Sequence, residues 1–248
     1  MPSALVTGAT SGIGKATALA LGDAGWWVLA SGLDPDRGRE VEKELQARHG
    51  GAFLGGDLTD DRVPQLLVDR LLEETGRIDL VVNCAGIHFL AALDELELES
   101  FDRLMAVNLR AALAVARAAL PHMLQQGGGT VINVASEAGI VAVPRQVAYN
   151  LSKAAMIMLS RCIAADYAHR GIRAVSVCPG TTRTPLVEEA IASAPDPQAH
   201  ERMLAESRPA RRLGAVEEIA AAIVFVASDR VGYLNGTEVV IDGGYTVV

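Results

Sequence analysis

Positive charge is scarce in this chain: 22 Lys and Arg face 30 Asp and Glu, a net charge of −8. Binding to a phosphate backbone draws on clustered Lys and Arg, so nucleic acid is excluded as an expected partner. Cysteine is scarcer still. Cys84, Cys162 and Cys178 are far apart, odd in number and embedded in apolar sequence, a pattern of buried free thiols rather than of disulfides or metal ligands. No run of about 18 apolar residues escapes charge or glycine, which argues against a membrane-spanning helix. Met1-Pro2-Ser3 leads straight into Ala4-Leu5-Val6, with no basic region and no cleavage signature, so no signal peptide is expected. By elimination the expected location is the cytoplasm. Linkers, low-complexity tracts and internal repeats are also missing, and one domain over residues 1–248 is expected.

Half of the 248 residues are hydrophobic and 24 are glycine, enough for a large core joined by tight turns. Short apolar runs stand at Ala4–Val6, Trp27–Ala30, Leu80–Val82, Val131–Val134, Ala174–Val177 and Glu238–Ile241, with a weaker one at Ala52–Leu54. Runs of this length, rich in Val and Ile and bounded by Gly, read as strands buried on both faces. Between them lie helix-period segments at Ile13–Ala24, Arg37–His49, Arg62–Thr75, Ser100–Leu124, Val147–His169 and Val216–Ala227. Repeated β-α-β order with right-handed crossovers predicts an α/β fold, a parallel sheet of about seven strands with helices on both faces. Thr184 to Arg212 breaks the rhythm, with Pro195-Asp196-Pro197 in its middle. Insertions directly after a late strand cover the ligand crevice of open α/β sheets, so a substrate lid is expected over 184–212.

Thr7-Gly8-Ala9-Thr10-Ser11-Gly12-Ile13-Gly14 follows the first strand and opens the first helix. Glycines there permit a tight turn and close approach of backbone to a pyrophosphate, and the helix N-terminus offers free N–H groups to it. Asp57, before Leu58, lies past the third strand, where its carboxylate can accept from an adenine amino group or simply close an Asx-turn. Asn83-Cys84-Ala85-Gly86 ends the fourth strand with small residues that let a cofactor pass. Ser136 ends the fifth strand, where α/β enzymes place reactive groups. Tyr149 and Lys153 share one face of a helix. An ammonium beside a phenol lowers a pKa that starts near about 10 and makes Tyr149 a candidate general acid/base. Ser136 can hold a substrate oxygen against that phenol.

These motifs, in this order, resemble the short-chain dehydrogenase/reductase family: T-G-x-x-x-G-I-G at Thr7–Gly14, N-x-A-G at Asn83–Gly86, an Asn in the fourth helix at Asn108, Ser136, Y-x-x-x-K at Tyr149–Lys153, and P-G-x-x-x-T at Pro179–Thr184. The likeness runs to the closing Ile241-Asp242-Gly243-Gly244. It implies a Rossmann-like doubly wound fold and an oxidoreductase moving a hydride between NAD(P) and a secondary alcohol or ketone carbon. Tyr149 would be the acid/base, Lys153 would bind the nicotinamide ribose and depress the tyrosine pKa, and Ser136 would orient substrate. Asn108 would hold a water that links Lys153 to solvent. The implied cofactor contacts are Gly8, Ser11, Gly12, Ile13, Gly14, Gly32, Leu33, Asp57, Leu58, Asn83, Ala85, Gly86, Tyr149, Lys153, Pro179, Gly180, Thr182 and Thr184. No metal ion is implied. Cys84 departs from the family, which usually has a second Asn there.

The cofactor's identity turns on the end of the second strand. Users of NAD in this family usually carry Asp where this chain has Gly32, and users of NADP carry a basic residue where it has Leu33 or Ser11. A 2′-phosphate near Asp34 would be repelled, with Arg37 and Lys15 as the basic residues left to reach it. The balance favours NAD over NADP. The family alignment brings His88, Glu137, Arg145, Gln146, Asn150 and Arg183 near the crevice, a polar set suited to a small sugar, polyol or hydroxy acid. Reduction of a 3-oxoacyl chain on a carrier protein is the alternative. A non-catalytic NAD(P)-sensing protein would normally have lost Tyr149 or Lys153, and an epimerase would need a larger C-terminal domain. The resemblance implies a homotetramer, for which the apolar end Tyr245–Val248 and the alanine-rich helices are the physical hint.

Overall fold

Apolar side chains that alternate along a strand must be covered on both faces, and this requirement organises the chain. In a computed structural model that describes Met1–Val248 throughout, the apolar runs form β1 (Ser3–Val6), β2 (Trp27–Gly32), β3 (Gly51–Gly55), β4 (Leu80–Asn83), β5 (Gly129–Val134), β6 (Ile172–Pro179) and β7 (Glu238–Ile241). The strands pair in parallel in the order β3-β2-β1-β4-β5-β6-β7. The order reverses beside β1, and such a switch point opens a crevice at the C-terminal strand ends. This is the doubly wound, Rossmann-like fold.

The helices are α1 (Gly12–Asp23), α2 (Pro35–Gln46), α3 (Val63–Thr75), α4 (Leu98–Met105), α5 (Ala111–Gln126), α6 (Val147–Tyr167), α7 (Pro185–Ala192), α8 (Pro197–Glu206) and α9 (Val216–Ala227). One face of the sheet, through Val6, Ala30, Val82, Ile132 and Val177, packs on Leu21 of α1, Leu45 of α2 and Ile223 of α9. The alternate residues Leu5, Leu29, Val81 and Val131 pack on Leu67 of α3, Val115 and Met123 of α5 and Ile163 of α6. Each fully buried Leu or Val contributes about 1.5–3 kcal/mol by leaving water.

Two local expectations, one helix and the three thiols, need correction. The single helix expected at Ser100–Leu124 is α4 and α5 joined by a π-turn at Ala106–Arg110, with Asn108 inside it. Leu98–Gln126 is therefore long enough, with a mean hydropathy of 1.3 over one window, to cross a membrane by length and composition. Here it packs on the sheet through Val115, Ala119 and Met123 and buries Asn108 completely. Of the three thiols expected to be buried, only Cys178 is; Cys84 is half-buried and Cys162 lies exposed on α6. Between Thr184 and Arg212 the chain forms α7 and α8, separated at the Pro-Asp-Pro break, where the Asp196 carboxylate caps α8 by accepting from the Ala199 N–H.

Candidate active site

The turn between β1 and α1 passes close to the end of β4. A Cβ on Gly8, whose φ is +64°, would stand 2.8 Å from the Ala85 backbone, and one on Gly14 would stand 2.2 Å from the Gly8 carbonyl oxygen. Side chains are therefore shut out, and the backbone itself forms the surface. Thr7 locks the approach: its hydroxyl accepts from the Cys84 and Ala85 N–H groups at 3.1 and 3.3 Å. Ser11 caps α1 with extended backbone, yet its side chain makes no capping bond and no acidic residue sits in the first turn. The N–H groups of this helix end are left for an anion. Gly12 faces Thr184, whose Cγ2 lies 3.3 Å from a Cβ placed there, so the glycine turn and the start of the 184–212 segment meet. Pro179 ends β6 opposite Ile241, and the Thr182 hydroxyl donates to the Gly180 carbonyl. This glycine-walled cradle with an uncapped helix end fits a dinucleotide pyrophosphate.

The reactive set gathers where β5 and α6 meet. Ser136 is buried just beyond β5, and its hydroxyl caps a short 3-10 turn, Glu137–Gly139, by accepting from the Ala138 N–H at 3.2 Å. That turn lies hard against α6, since a Cβ on Gly139 would sit 2.7 Å from the Lys153 carbonyl carbon. Ser136 thereby lies beside the Tyr149 phenol, near enough to lower its pKa. The His88 ring meets Tyr149 edge-on, with centroids 4.8 Å apart. Lys153 is buried, its Nζ 5.5 Å from the Tyr149 ring centroid and donating to the Val134 carbonyl at 2.8 Å.

The electrostatics differ from the expected pattern. Burial pushes the Tyr149 phenol up to about 12; the neighbouring Ser136 hydroxyl opposes this, while Cys84 and Glu137 add to it. Burial likewise pushes Lys153 down to about 8. Cys84 is raised to about 11, chiefly by burial, so its thiol stays protonated and inert at neutral pH. Asn108 is held through its side chain. Its Oδ1 accepts from the Ile87 N–H at 2.7 Å, and its Nδ2 donates to the Ile87 carbonyl and the Ser152 hydroxyl at 3.0 and 3.2 Å. Both amide protons are occupied by protein, so its side chain staples the Ile87–His88 segment to the π-turn, leaving one lone pair for a water.

The rim residues divide. His88 and Gln146 are half-buried beside Tyr149, and burial lowers the His88 pKa while Gln146 opposes the shift. The Asn150 Nδ2 donates to the Val143 carbonyl at 3.0 Å, and its Oδ1 is buried without a partner. Arg145 does not offer a free guanidinium. It forms a two-pronged bridge to Glu95 at 2.9 and 2.6 Å, tying the loop after β4 to the loop before α6. Arg183 is bound to Glu188 of α7 and Glu201 of α8, and Glu137 is paired with Arg208. A concavity of about 720 Å³ lies elsewhere, at the N-terminal strand ends beside Pro2, Gly128 and Arg173. It gathers no reactive side chains; its Arg77 is paired with Asp79.

At the adenosine end, a Cβ on Gly32 would stand 2.7 and 2.9 Å from Thr10 Cγ2 and Oγ1. Thr10 occupies the space that a side chain at position 32 would need. Leu33 is exposed. The Asp34 carboxylate caps α2 by accepting from the Asp36 and Arg37 N–H groups and pairs with the Arg37 side chain, while Lys15 pairs with Glu44. Asp57 forms an Asx-turn, accepting from the Thr59 N–H and hydroxyl, which holds its carboxyl below the usual range. Leu58 packs beneath it on the α3 side of the sheet. Sequence reasoning passed over Thr7, Thr10, Ser152, Glu95 and Arg208. Thr7 and Thr10 stand inside the glycine motif and could have been weighed; the others carry no local signal.

The comparisons agree with this architecture. Residues 8–246 match the family described as Enoyl-(Acyl carrier protein) reductase. An uncharacterized oxidoreductase of Thermotoga maritima is 38% identical, with 98% of this chain and 97% of that protein covered. D-threitol dehydrogenase of Mycolicibacterium smegmatis is 37% identical over 98% of this chain and 92% of that one. D-beta-hydroxybutyrate dehydrogenase of Rhizobium meliloti is 34% identical over 98% of both. A solved short chain dehydrogenase/reductase family protein superposes with a TM-score of 0.87 at 33% identity, covering 100% of this chain and 98% of that one. Motifs, strand order and matched length converge: the chain belongs to the short-chain dehydrogenase/reductase family and is an NAD(P)-dependent oxidoreductase acting on CH–OH groups.

Proposed function

We propose that the enzyme interconverts a secondary alcohol and its ketone on a small polar molecule, a sugar, polyol or hydroxy acid, with Tyr149 as acid/base. The observation that carries this reading is the meeting of Ser136, Tyr149 and Lys153 beside the glycine-walled turn. Ser136 donates to or accepts from the substrate oxygen and keeps it on the phenol. Tyr149 removes the hydroxyl proton in oxidation and returns one in reduction. Bound NAD(P) supplies the hydride acceptor or donor. Lys153, whose ammonium lies 3.7 Å from where a Cβ on Gly86 would stand, can exchange Val134 for a ribose hydroxyl and then bring its charge to bear on the phenolate. The Ser152–Asn108–Ile87 bonds hold the wall on which His88 sits.

A panel of sugars, polyols and hydroxy acids, scored for NADH and NADPH formation, tests the substrate class; a flat response to all three would overturn it. His88 and Gln146 beside Tyr149 support a hydroxylated substrate, and the D-threitol and D-beta-hydroxybutyrate dehydrogenases are relatives of that kind. A second reading has its own observation: Leu90, Leu93, Ile140 and Leu186, on the segments after β4, β5 and β6, are exposed. An apolar rim suits a 3-oxoacyl chain, so an acetoacetyl thioester belongs in the panel.

For the cofactor, the reading is NAD. No free basic side chain stands at the end of β2, because Arg37 and Lys15 already have acidic partners. Gly32→Asp alone is expected to gain little, since Thr10 fills the space. Combined with Thr10→Ala, it should tighten NAD binding about tenfold or more and weaken NADP, because a carboxylate accepts from the ribose hydroxyls and repels a 2′-phosphate. Equal NAD affinity for the single and double variants would show that Thr10 is not the obstacle. A wild-type preference for NADP above about tenfold, or some 1.4 kcal/mol, would overturn the choice of NAD itself.

A homotetramer is the assembly this reading predicts. Leu113 of α5, Leu151 and Met158 of α6, Phe225 of α9 and Val240 of β7 are exposed on faces that one chain leaves uncovered, and closed symmetry covers such faces in pairs. Light scattering at micromolar concentration should return the mass of four chains; that of one chain would count against it.

A further inference from the structure

Glu137 and Arg208 form a buried ion pair 71 positions apart, their side chains 8% and 3% exposed. Charges this deep are destabilising unless each is well partnered, so a pair kept here calls for a reason. The contact is single, Arg208 Nη2 to Glu137 Oε1 at 3.2 Å. Glu137 Oε2 and Arg208 Nε are both buried without a hydrogen-bond partner. Each orphan is the group the other lacks, and a side-on fork would satisfy both.

The pair joins two parts of the site. Glu137 begins the 3-10 turn that the Ser136 hydroxyl caps, and Gly139 at the end of that turn presses on the α6 backbone at Lys153. Arg208 follows α8, at the root of the 184–212 segment. It is anchored to the Leu204 carbonyl and to the Thr181 hydroxyl, the latter at 2.8 Å, and its guanidinium lies 5.3 Å from the Tyr245 ring centroid. Gly180 makes the approach possible, because a Cβ there would stand 2.6 Å from Glu137 Oε2.

We propose that Glu137 and Arg208 are a positioning latch, through which seating of the 184–212 segment holds the Ser136 turn in register with Tyr149. The proposal rests on the reading of Ser136 and Tyr149 as the reacting groups. The pair touches neither reacting atom and acts through Ser136. The charged and titratable groups around Glu137 are Arg208, Asp242 and Tyr149. Asp242 is itself occupied by the Gly244 and Thr246 N–H groups and the Thr246 hydroxyl. Burial pushes Glu137 up to about 7, Arg208 pulls it back and Asp242 adds to the push. Its negative charge in turn raises the Tyr149 phenol.

Arg208→Met, Arg208→Lys and Glu137→Gln test the latch. In Arg208→Met, amide hydrogen exchange over residues 185–206 should quicken about tenfold, the mark of a segment released from its anchor. In the same variant, kcat/KM for the best panel alcohol should fall about ten- to a hundredfold, as it does when a reacting group is misplaced. Arg208→Lys keeps the charge and should recover most of both. Glu137→Gln should shift the pH profile of alcohol oxidation to lower pH, because the phenolate loses a negative neighbour, an effect that a merely structural role would not produce. Wild-type exchange and wild-type kcat/KM in Arg208→Met overturn the latch. If that variant fails to fold, Glu137→Gln decides: an unshifted profile with unchanged exchange overturns it. Ser136→Ala judges the underlying reading separately. It should lose turnover with exchange over 185–206 unaltered, and an active Ser136→Ala would sink the catalytic assignment while leaving the exchange result to stand on its own.

Discussion

Replacing Tyr149 with Phe is expected to lower kcat by about 10²–10⁴-fold, the usual contribution of a positioned general acid/base. The change deletes one hydroxyl from a half-buried ring that His88 meets edge-on, so the fold and cofactor affinity should be nearly unchanged. A purified variant that keeps more than about a tenth of wild-type kcat would remove Tyr149 from the chemistry. The pH dependence carries its own sign. A phenol pushed up to about 12 by burial is protonated throughout the neutral range. Reduction uses that proton, so its rate should be flat between about pH 6 and pH 9, within the reach of buffers well below the ordinary tyrosine value. Oxidation needs the phenolate, so its kcat/KM should climb with pH over the same range. A flat oxidation profile would mean that another group takes the proton.

Lys153→Met should have two effects of opposite sign. Turnover should drop by about a hundredfold or more, because the phenolate loses the only ammonium near it. Stability of the protein without cofactor should rise at pH 7. Burial lowers the Lys153 amine from 10.5 to about 8, so at neutral pH the folded state carries a buried ammonium at a cost on the order of 3 kcal/mol. The hydrogen bond to Val134 that would be lost offsets about 1 kcal/mol of this gain. The sign follows from linkage: between about 8 and 10.5 the unfolded chain binds more protons than the folded one, so wild-type stability gained from this group rises with pH across that window. The variant should lack that rise. A Tm below wild type at pH 7 would show that the Val134 bond outweighs the burial. A variant with normal KM for cofactor and an unmoved pH–rate profile would exclude Lys153 from the mechanism.

Much of the architecture could be read before any coordinates. Strand residues such as Ala4, Leu5 and Val6 alternate between two packed faces, and that periodicity is written over many residues at once. The first glycine turn was equally legible, because Gly8 and Gly14 lie within one short segment and their constraint is local. Asn108 shows the limit. A polar residue inside an apolar helix marks a special position, but the sequence does not say that a π-turn would aim both of its amide protons at Ile87 and Ser152. Arg145 and Arg183 read as substrate contacts by position, yet Glu95, Glu188 and Glu201 hold them. Opposite charges on neighbouring loops find each other once the loops are placed, and no period announces that pairing.

The sequence by itself determined the number and kind of elements, the parallel sheet and the spacing that sets Tyr149 and Lys153 on one helical face, because each depends on residues close together in the chain. The tertiary structure alone decided which side chains share a space. Thr10 stands where a residue at position 32 would project, and burial is the largest influence on the Tyr149 phenol. Arg208 crosses the fold to Glu137 beneath the serine turn. These are matters of volume, desolvation and long-range contact, which are fixed only when loops from β4, β5 and β6 are brought to the same end of one sheet.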